Sequence, residues 1–213
     1  MQTVNIETIV VPPIYSNCYI LADEAGHAVV IDPGGLPEEI MRMVEAENLT
    51  VEAIINTHGH IDHVGANAEI RRRTGAPIYI HEADAAMLSS ALLCGANWAG
   101  LDYEEHTHDK LIVPGEPLNT GHFEFFVQHT PGHCPGSVCL VMSQGLVFSG
   151  DLVFMGSIGR SDLPGGDEAV LMESLRWFLT LPNAFKVYPG HGAATTVGRE
   201  RADNPFLRRL GRE

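Results

Sequence analysis

The sequence predicts an α+β fold of two β-sheets with helices outside, and three features of the 213-residue chain predict it. Short apolar runs bounded by Gly, Pro and Asn recur as far as Tyr188, each with the length of a strand. Both halves of the chain place strands first and helices after them. No linker, low-complexity segment or short-period repeat separates the halves, so residues 1–213 are expected to form a single domain.

Residues 6–11, 18–22 and 28–31 read as successive strands, broken by Pro12-Pro13 and by Glu24-Ala25-Gly26. The third ends in Asp32-Pro33-Gly34-Gly35, a sharp turn headed by a carboxylate. Pro37 at a first helical position, followed by Glu38 and Glu39, starts a helix with Ile40, Met43, Val44 and Ala46 as its core stripe. A buried strand over 51–56 leads into a histidine-rich turn, and a helix runs on to about Arg73, ended by Gly75-Ala76-Pro77. Ile78-Tyr79-Ile80 makes another strand, and residues 82–93 read as a helix with a weak polar face. Gly95, Gly100, Pro114, Gly115 and Pro117 punctuate an extended loop expected over 94–117. Strands return at 122–128, 137–142, 146–149 and 185–188. A helix capped by Asp167 runs to about Thr180, burying Val170, Leu171, Leu175, Phe178 and Leu179.

An apolar fraction of 45% with 19% charged residues is ordinary for a soluble globular enzyme. The net charge of −14 argues against a nucleic-acid surface, which needs clustered Lys and Arg. The arginines that do cluster, Arg199, Arg201, Arg208, Arg209 and Arg212, read as the solvated face of a terminal helix. Residues 1–7 show no basic n-region and no long apolar h-region, so no signal peptide is expected. No run approaches the roughly 18 apolar residues of a membrane span. Cys18, Cys94, Cys134 and Cys139 show no C-x-x-C spacing and read as reduced thiols of a cytoplasmic protein. The expected partner is a small molecule, with no nucleic acid and no membrane.

The chemistry concentrates at Thr57-His58-Gly59-His60-Ile61-Asp62-His63, where three imidazoles and a carboxylate share a strand-to-helix turn. These are ligand types for zinc and its borderline neighbours. One such turn can serve two adjacent ions, with His58 and His60 on one and Asp62 and His63 on the other. Further ligands should then follow other strands, because strand ends can converge on one edge of a sheet. His133 in Thr130-Pro131-Gly132-His133, Asp151 in Ser149-Gly150-Asp151 and His191 in Pro189-Gly190-His191 each follow an apolar run. Each also directly follows a glycine, which permits close backbone approach. Asp32 likewise follows an apolar run, with its glycines after it in Asp32-Pro33-Gly34-Gly35. Any one of these alone is better read as a turn residue; together they point to convergence.

On these motifs the sequence resembles the metallo-β-lactamase fold superfamily, and within it the small single-domain glyoxalase II-like (hydroxyacylglutathione hydrolase-like) hydrolases. The matching segments run in family order from about residue 5 to 192. The resemblance implies a four-layer αββα sandwich of two mixed β-sheets, with the site at one edge between them. It implies that His58, His60 and His133 hold a first metal, that Asp62, His63 and His191 hold a second, and that Asp151 bridges both. Asp32 would support the ligand loop without touching a metal. Two divalent ions per chain are implied, zinc first, with iron and manganese open because His and Asp accept all three. Two ions about 3.5–4 Å apart can share a water and lower its pKa. A metal-bridging hydroxide would attack a carbonyl, with Asp62 as the catalytic residue that orients it or relays its proton. No Ser or Cys nucleophile is then needed, and Cys134 is expected to point away from the metals. Lactam-cleaving relatives place Cys at a metal position, but the bridging position here is Asp151. Flavo-diiron oxidoreductases of the superfamily carry Glu where this chain has His60, which favours hydrolysis. Ligand histidines bind only when neutral, so metal loss in acid is expected. His106 and His108 read as surface loop residues, and His27, His81, His122 and His129 as structural or solvated.

The segment Gly156-Ser157-Ile158-Gly159-Arg160-Ser161-Asp162 resembles the Gly-Arg-Ser/Thr-Asp segment of small glyoxalase II-like proteins and of persulfide dioxygenases. It places Arg160 near the expected site mouth, either to pair a substrate carboxylate or to satisfy loop carbonyls. Full-length glyoxalase II carries a C-terminal helical domain that supplies glutathione contacts. Only residues 192–213 follow His191, so no such domain is expected. The expected function is hydrolysis of a thioester, S-lactoylglutathione to lactate and glutathione first. The alternatives are a mononuclear-iron persulfide dioxygenase, a lactonase, and a non-enzymatic metal-binding sensor or structural protein.

Overall fold

A computed structural model describes residues 3–210; Met1, Gln2 and, of the C-terminal arginines, Arg212 lie outside the described residues. The first sheet runs in the order β1 (Val4–Val11), β2 (Ser16–Asp23), β3 (His27–Ile31), β4 (Thr50–Ile55), β5 (Ile78–His81) and β6 (Lys110–Ile112). Its first three strands pair antiparallel and the rest parallel. The parallel crossovers carry α1 (Pro37–Ala46), α2 (Ile61–Val64), α3 (Asn67–Thr74), a 3-10 helix over Glu82–Ser89, and α4 (Ala96–Ala99). The second half supplies β7 (Pro117–Asn119), β8 (Glu124–His129), β9 (Val138–Met142), β10 (Leu146–Gly150) and the small hairpin of β11 (Val153–Phe154) and β12 (Ser157–Ile158). It continues with α5 (Glu168–Phe178), β13 (Lys186–Pro189), β14 (Thr195–Thr196), α6 (Val197–Asp203) and α7 (Leu207–Leu210). The second sheet has the order β14-β13-β10-β9-β8-β7, with β10 and β13 parallel and its other pairs antiparallel. Both sheets are mixed, as the sequence implies.

Period-two alternation in the strands builds three apolar layers. Along β2, Cys18, Ile20 and Ala22 pack with Ile40, Met41 and Val44 of α1 and Ile70 of α3, whereas Tyr19 and Leu21 face the second sheet. Along β9, Val138, Leu140 and Met142 fill the layer between the sheets, and Cys139 and Val141 pack with Leu171, Leu175 and Phe178 of α5. Strands covered on both faces read as continuous apolar runs, which is why β2, β3 and β9 were legible without alternating polarity. Each large side chain removed from water in this way contributes about 1.5–3 kcal/mol. Tyr19, Phe148 and Tyr188 meet at the middle layer with ring centroids 5.2–5.6 Å apart.

Several elements differ from the sequence reading. The segment expected to be a helix over 82–93 is a 3-10 helix ending at Ser89, with Ser90 extended. Asp84 turns inward there to accept the N–H groups of Gly59 (3.1 Å) and Gly136 (2.6 Å), and those bonds fix the backbone in place of an amphipathic stripe. The expected loop over 94–117 contains α4 and β6, both too short to show a period. In α1, Met41 rather than Met43 joins Ile40 and Val44 in the core. In α5, Val170 is exposed and donates its N–H to the Asp167 cap, leaving Leu171, Ser174, Leu175 and Phe178 inside. Arg201 is not simply solvated: its guanidinium donates to the carbonyls of Leu179 and Leu181 and ties α6 to the end of α5. At the far end of β3, His27 stacks on His122 with centroids 3.5 Å apart, and their Nδ1 atoms face Asp23 and Glu52, so the pair joins one sheet to the other.

The turn after β3 is packed against the histidine-rich turn after β4. A Cβ on Gly34 would sit 1.5 Å from the carbonyl oxygen of Asp62. Substituting Gly34→Ala is expected to lower folding stability by about 3 kcal/mol in urea denaturation, the upper range of overpacking costs. An unchanged midpoint would contradict this packing.

Candidate metal centre

The residues singled out from the sequence come together at the C-terminal ends of strands. Asp32 follows β3, residues 56–63 follow β4, His133 lies beyond β8, Asp151 follows β10 and His191 lies just beyond β13. His58, His60 and His133 form one group in which each offers a ring nitrogen within 4.8 Å of the others. Within it, His60 Nδ1 lies 2.9 Å from His133 Nε2. Asp62, His63 and His191 form a second group of the same kind. Asp62 Oδ2 is 3.5 Å from His63 Nε2 and 3.3 Å from His191 Nε2. Asp151 stands between the two: its Oδ1 is 3.4 Å from His63 Nε2, and its Oδ2 is 3.4 Å from His191 Nε2 and 3.5 Å from His133 Nε2. Gly190 makes this possible, since a Cβ there would lie 2.1 Å from Asp151 Oδ1.

Three inward-facing atoms, His58 Nε2, His63 Nε2 and Asp151 Oδ1, are buried without a hydrogen-bond partner. Leaving such an atom unsatisfied costs about 1–3 kcal/mol. Imidazole nitrogens and carboxylate oxygens facing one gap are the donor set that suits a borderline divalent metal, so the residues present fit such ions. The outer nitrogens are held in turn. His63 Nδ1 faces Asp32 Oδ2 at 3.0 Å, His133 Nδ1 faces the Arg160 carbonyl at 2.7 Å, and His58 Nδ1 faces Thr57 Oγ1 at 3.2 Å. Asp32 also accepts the Thr57 N–H (2.7 Å) and hydroxyl (2.6 Å), so both of its oxygens support the ligand loop. Such outer partners set ring orientation and tautomer.

Charge is distributed unevenly between the groups. Burial, reinforced by neighbouring histidines, pushes His58 well below the usual imidazole range and His60 down to about 4. Burial acts the same way on His63, but Asp62, Asp151 and Asp32 outweigh it and raise its pKa well above the usual range. For His191, burial is likewise outweighed by Asp151 and Asp62, which raise it to about 9. Burial opposes ionisation of Asp62 and Asp151, yet the surrounding histidines hold both below the usual carboxylate range.

Other residues fix the site and escaped sequence reasoning. Ser16 donates to the carbonyl of Asp62 at 2.5 Å. Asn17 donates to the carbonyls of Pro189 (2.9 Å) and Gly192 (2.8 Å), and Tyr19 donates to Pro189 at 2.6 Å. The signal in the sequence is the polar pair Ser16-Asn17 opening an otherwise apolar strand. Asn56 donates to the His63 carbonyl and pairs with Asn67, which in turn contacts His106 at 3.2 Å. His106 is therefore half-buried behind the ligand turn and not a surface loop residue. Cys134 is buried behind His60, with Sγ 3.7 Å from His60 Nε2, and burial together with Asp84 holds its thiol protonated. The Arg160 guanidinium does not satisfy loop carbonyls; it is exposed, borders the site's cavity of about 580 Å3, and is held by both oxygens of Asp162 at 2.6 and 2.7 Å.

Comparison with known proteins gives a consistent family. The metallo-beta-lactamase superfamily matches residues 11–191. A probable metallo-hydrolase, YqgX of Bacillus subtilis, is 40% identical over 92% of this chain and 94% of its own. The hydroxyacylglutathione hydrolase GloC of Haemophilus influenzae is 36% identical over 95% of this chain and 98% of its own. Among solved structures, the BLEG-1 B3 metallo-beta-lactamase superposes with a TM-score of 0.92 at 38% identity, covering 95% of this chain and 99% of that one. TTHA1623 in a di-iron-bound form superposes with a TM-score of 0.81 at 40% identity, covering 94% and 100%.

The charge distribution orders metal loss in acid. Protons compete for His191 from about pH 9 downward, whereas His60 takes a proton only near pH 4. With an ion on each group, titration to lower pH is expected to release the one among Asp62, His63 and His191 first, read as metal per chain by elemental analysis. Simultaneous loss of all metal near pH 4 would contradict this order.

Proposed function

The chain belongs to the metallo-beta-lactamase superfamily, and from that membership we propose that it is a binuclear metal-dependent hydrolase acting on a thioester, S-lactoylglutathione first. The observation that carries the reading is the position of Asp151, whose carboxylate reaches the histidines of both groups while its Oδ1 has no hydrogen-bond partner. In this reading His58, His60 and His133 hold one divalent ion and Asp62, His63 and His191 the other, zinc first, with Asp151 serving both. The similarity to GloC supports the substrate class. The protein is read as a single cytoplasmic domain acting on a small molecule. No described helix is long and apolar enough to cross a membrane.

Bound divalent ions would supply Lewis-acid activation of a water and of the thioester carbonyl. The chain's own residues do the rest. In this reading Asp62, kept ionised by His63 and His191, would orient the attacking water and take its proton. The Ser16 hydroxyl, bonded to the Asp62 carbonyl, fixes that residue's backbone. Asp32 holds the His63 ring in one orientation. Cys18, Cys134 and Cys139 are buried, and burial pushes their thiol pKa values well up, to about 12 for Cys139, so none offers a thiolate nucleophile at neutral pH.

Purified metal-replete protein is expected to release free thiol from S-lactoylglutathione, with turnover abolished by chelation and by His58→Ala. Asp62→Asn is expected to lower kcat by about 100-fold or more. Retained turnover in His58→Ala, or no thioester turnover by fully loaded protein, would overturn the reading.

A further inference from the structure

A second cavity, of about 510 Å3, lies beside the metal cavity. His60, Gly95, Trp98 and Leu163 border both, so the two are continuous at a candidate ligand. The rest of its wall is apolar, formed chiefly by Ala86, Met87, Leu92, Leu93 and Pro135. Apart from His60, the ionisable residue in that wall is Asp84, whose oxygens are taken by the Gly59 and Gly136 N–H groups and whose pKa is raised by burial. Leu92, Leu93 and Trp98 are 60%, 54% and 64% exposed, so a cluster of large apolar side chains faces solvent at this opening. Clusters of that kind mark sites that a ligand covers.

Charge points the same way. Among the described residues, the one lysine or arginine bordering either cavity is Arg160, and its guanidinium is engaged by both oxygens of Asp162. It borders the metal-site cavity and not the apolar one, whose wall next to His60 matches an apolar chain.

We propose that this cavity is an acyl-binding pocket, with the leaving thiol directed toward Arg160, and that the protein accepts thioesters of medium-chain aliphatic acids in addition to the hydroxyacyl thioester proposed above. The inference rests on the thioester hydrolysis proposed above. Water oxygen forms the new bond to the acyl carbon, the carbon–sulfur bond breaks, and the water's protons end on the carboxylic acid and the thiol, with no oxidant or reductant.

The test is a series of acetyl, butanoyl, hexanoyl and octanoyl thioesters of N-acetylcysteamine, with a parallel calorimetric titration of the products acetate, butanoate and octanoate. Expected is a rise in kcat/KM of about two- to fourfold per added methylene, the gain that methylene burial allows. Octanoate is expected to bind at least tenfold tighter than butanoate. In Leu93→Asp the octanoyl-to-acetyl ratio should collapse toward one, and Leu92→Ser should reduce it. A flat series with octanoate no tighter than butanoate overturns the pocket, even if thioesters are cleaved. Tight octanoate binding without any thioester turnover sinks the hydrolase reading and leaves the pocket standing. A gain that follows chain length on the thiol instead of the acyl side overturns the arm assignment. A dimer in sedimentation that Leu93→Asp dissociates, with no change in the chain-length series, gives the apolar surface to a second copy of this chain and overturns the proposal.

Discussion

The centre depends on a charge balance that the protein alone leaves incomplete. Asp32, Asp62 and Asp151 are all largely withdrawn from water, and His63 lies within 3.0–3.5 Å of a carboxylate oxygen of each. A buried charge stripped of its partner costs about 3–5 kcal/mol, so this imidazole cannot be removed without loosening the turn that carries it. Yet the same carboxylates raise the His63 and His191 pKa values, while His58 and His60 on the neighbouring group are kept neutral by burial. Divalent ions between the groups would replace protons on one side and satisfy empty nitrogens on the other. Stability and chemistry are coupled at this one point.

The sandwich supplies what that balance requires. Three apolar layers fix the strand directions, and the strand ends are then held at one rim by polar contacts from distant segments. Ser16, Asn17 and Tyr19 at the start of β2 clamp the Asp62 backbone and the turn around Gly190. Asp84 clamps the ligand turn to the loop that carries His133. The clustered histidines thus come from loops and, for His63, from the short α2, but their positions are set by backbone bonds to rigid elements. The same clamp takes up both Asp84 oxygens, so the buried carboxylate that orders the turn presents no free acceptor to the neighbouring cavity.

Much of this was legible in the sequence because it is local. His58, His60, Asp62 and His63 lie within one turn, and His133, Asp151 and His191 each repeat a strand followed by Gly and a polar residue. Runs such as 18–22 and 138–142 announced buried strands because apolar layers cover both of their faces. Asp84 and Asn17 were not legible: they act on backbone groups as far as 52 and 175 positions away, and no side-chain pattern records such a bond. The 3-10 helix over Glu82–Ser89 was misread for the same reason, since its geometry answers to Asp84 and not to an apolar stripe. Apart from His60, the apolar cavity is assembled from three separated segments, around residues 83–98, 135 and 163–165, and none of them is distinctive alone.

The central claim, that Asp62, His63 and His191 hold an ion beside the one held by His58, His60 and His133, is tested most directly by anomalous diffraction at the metal edge from crystals of the reconstituted protein. Two peaks flanking the Asp151 carboxylate are expected, one on each group. A single peak among His58, His60 and His133, with Asp62, His63 and His191 bound only to water at saturating metal, would contradict the account.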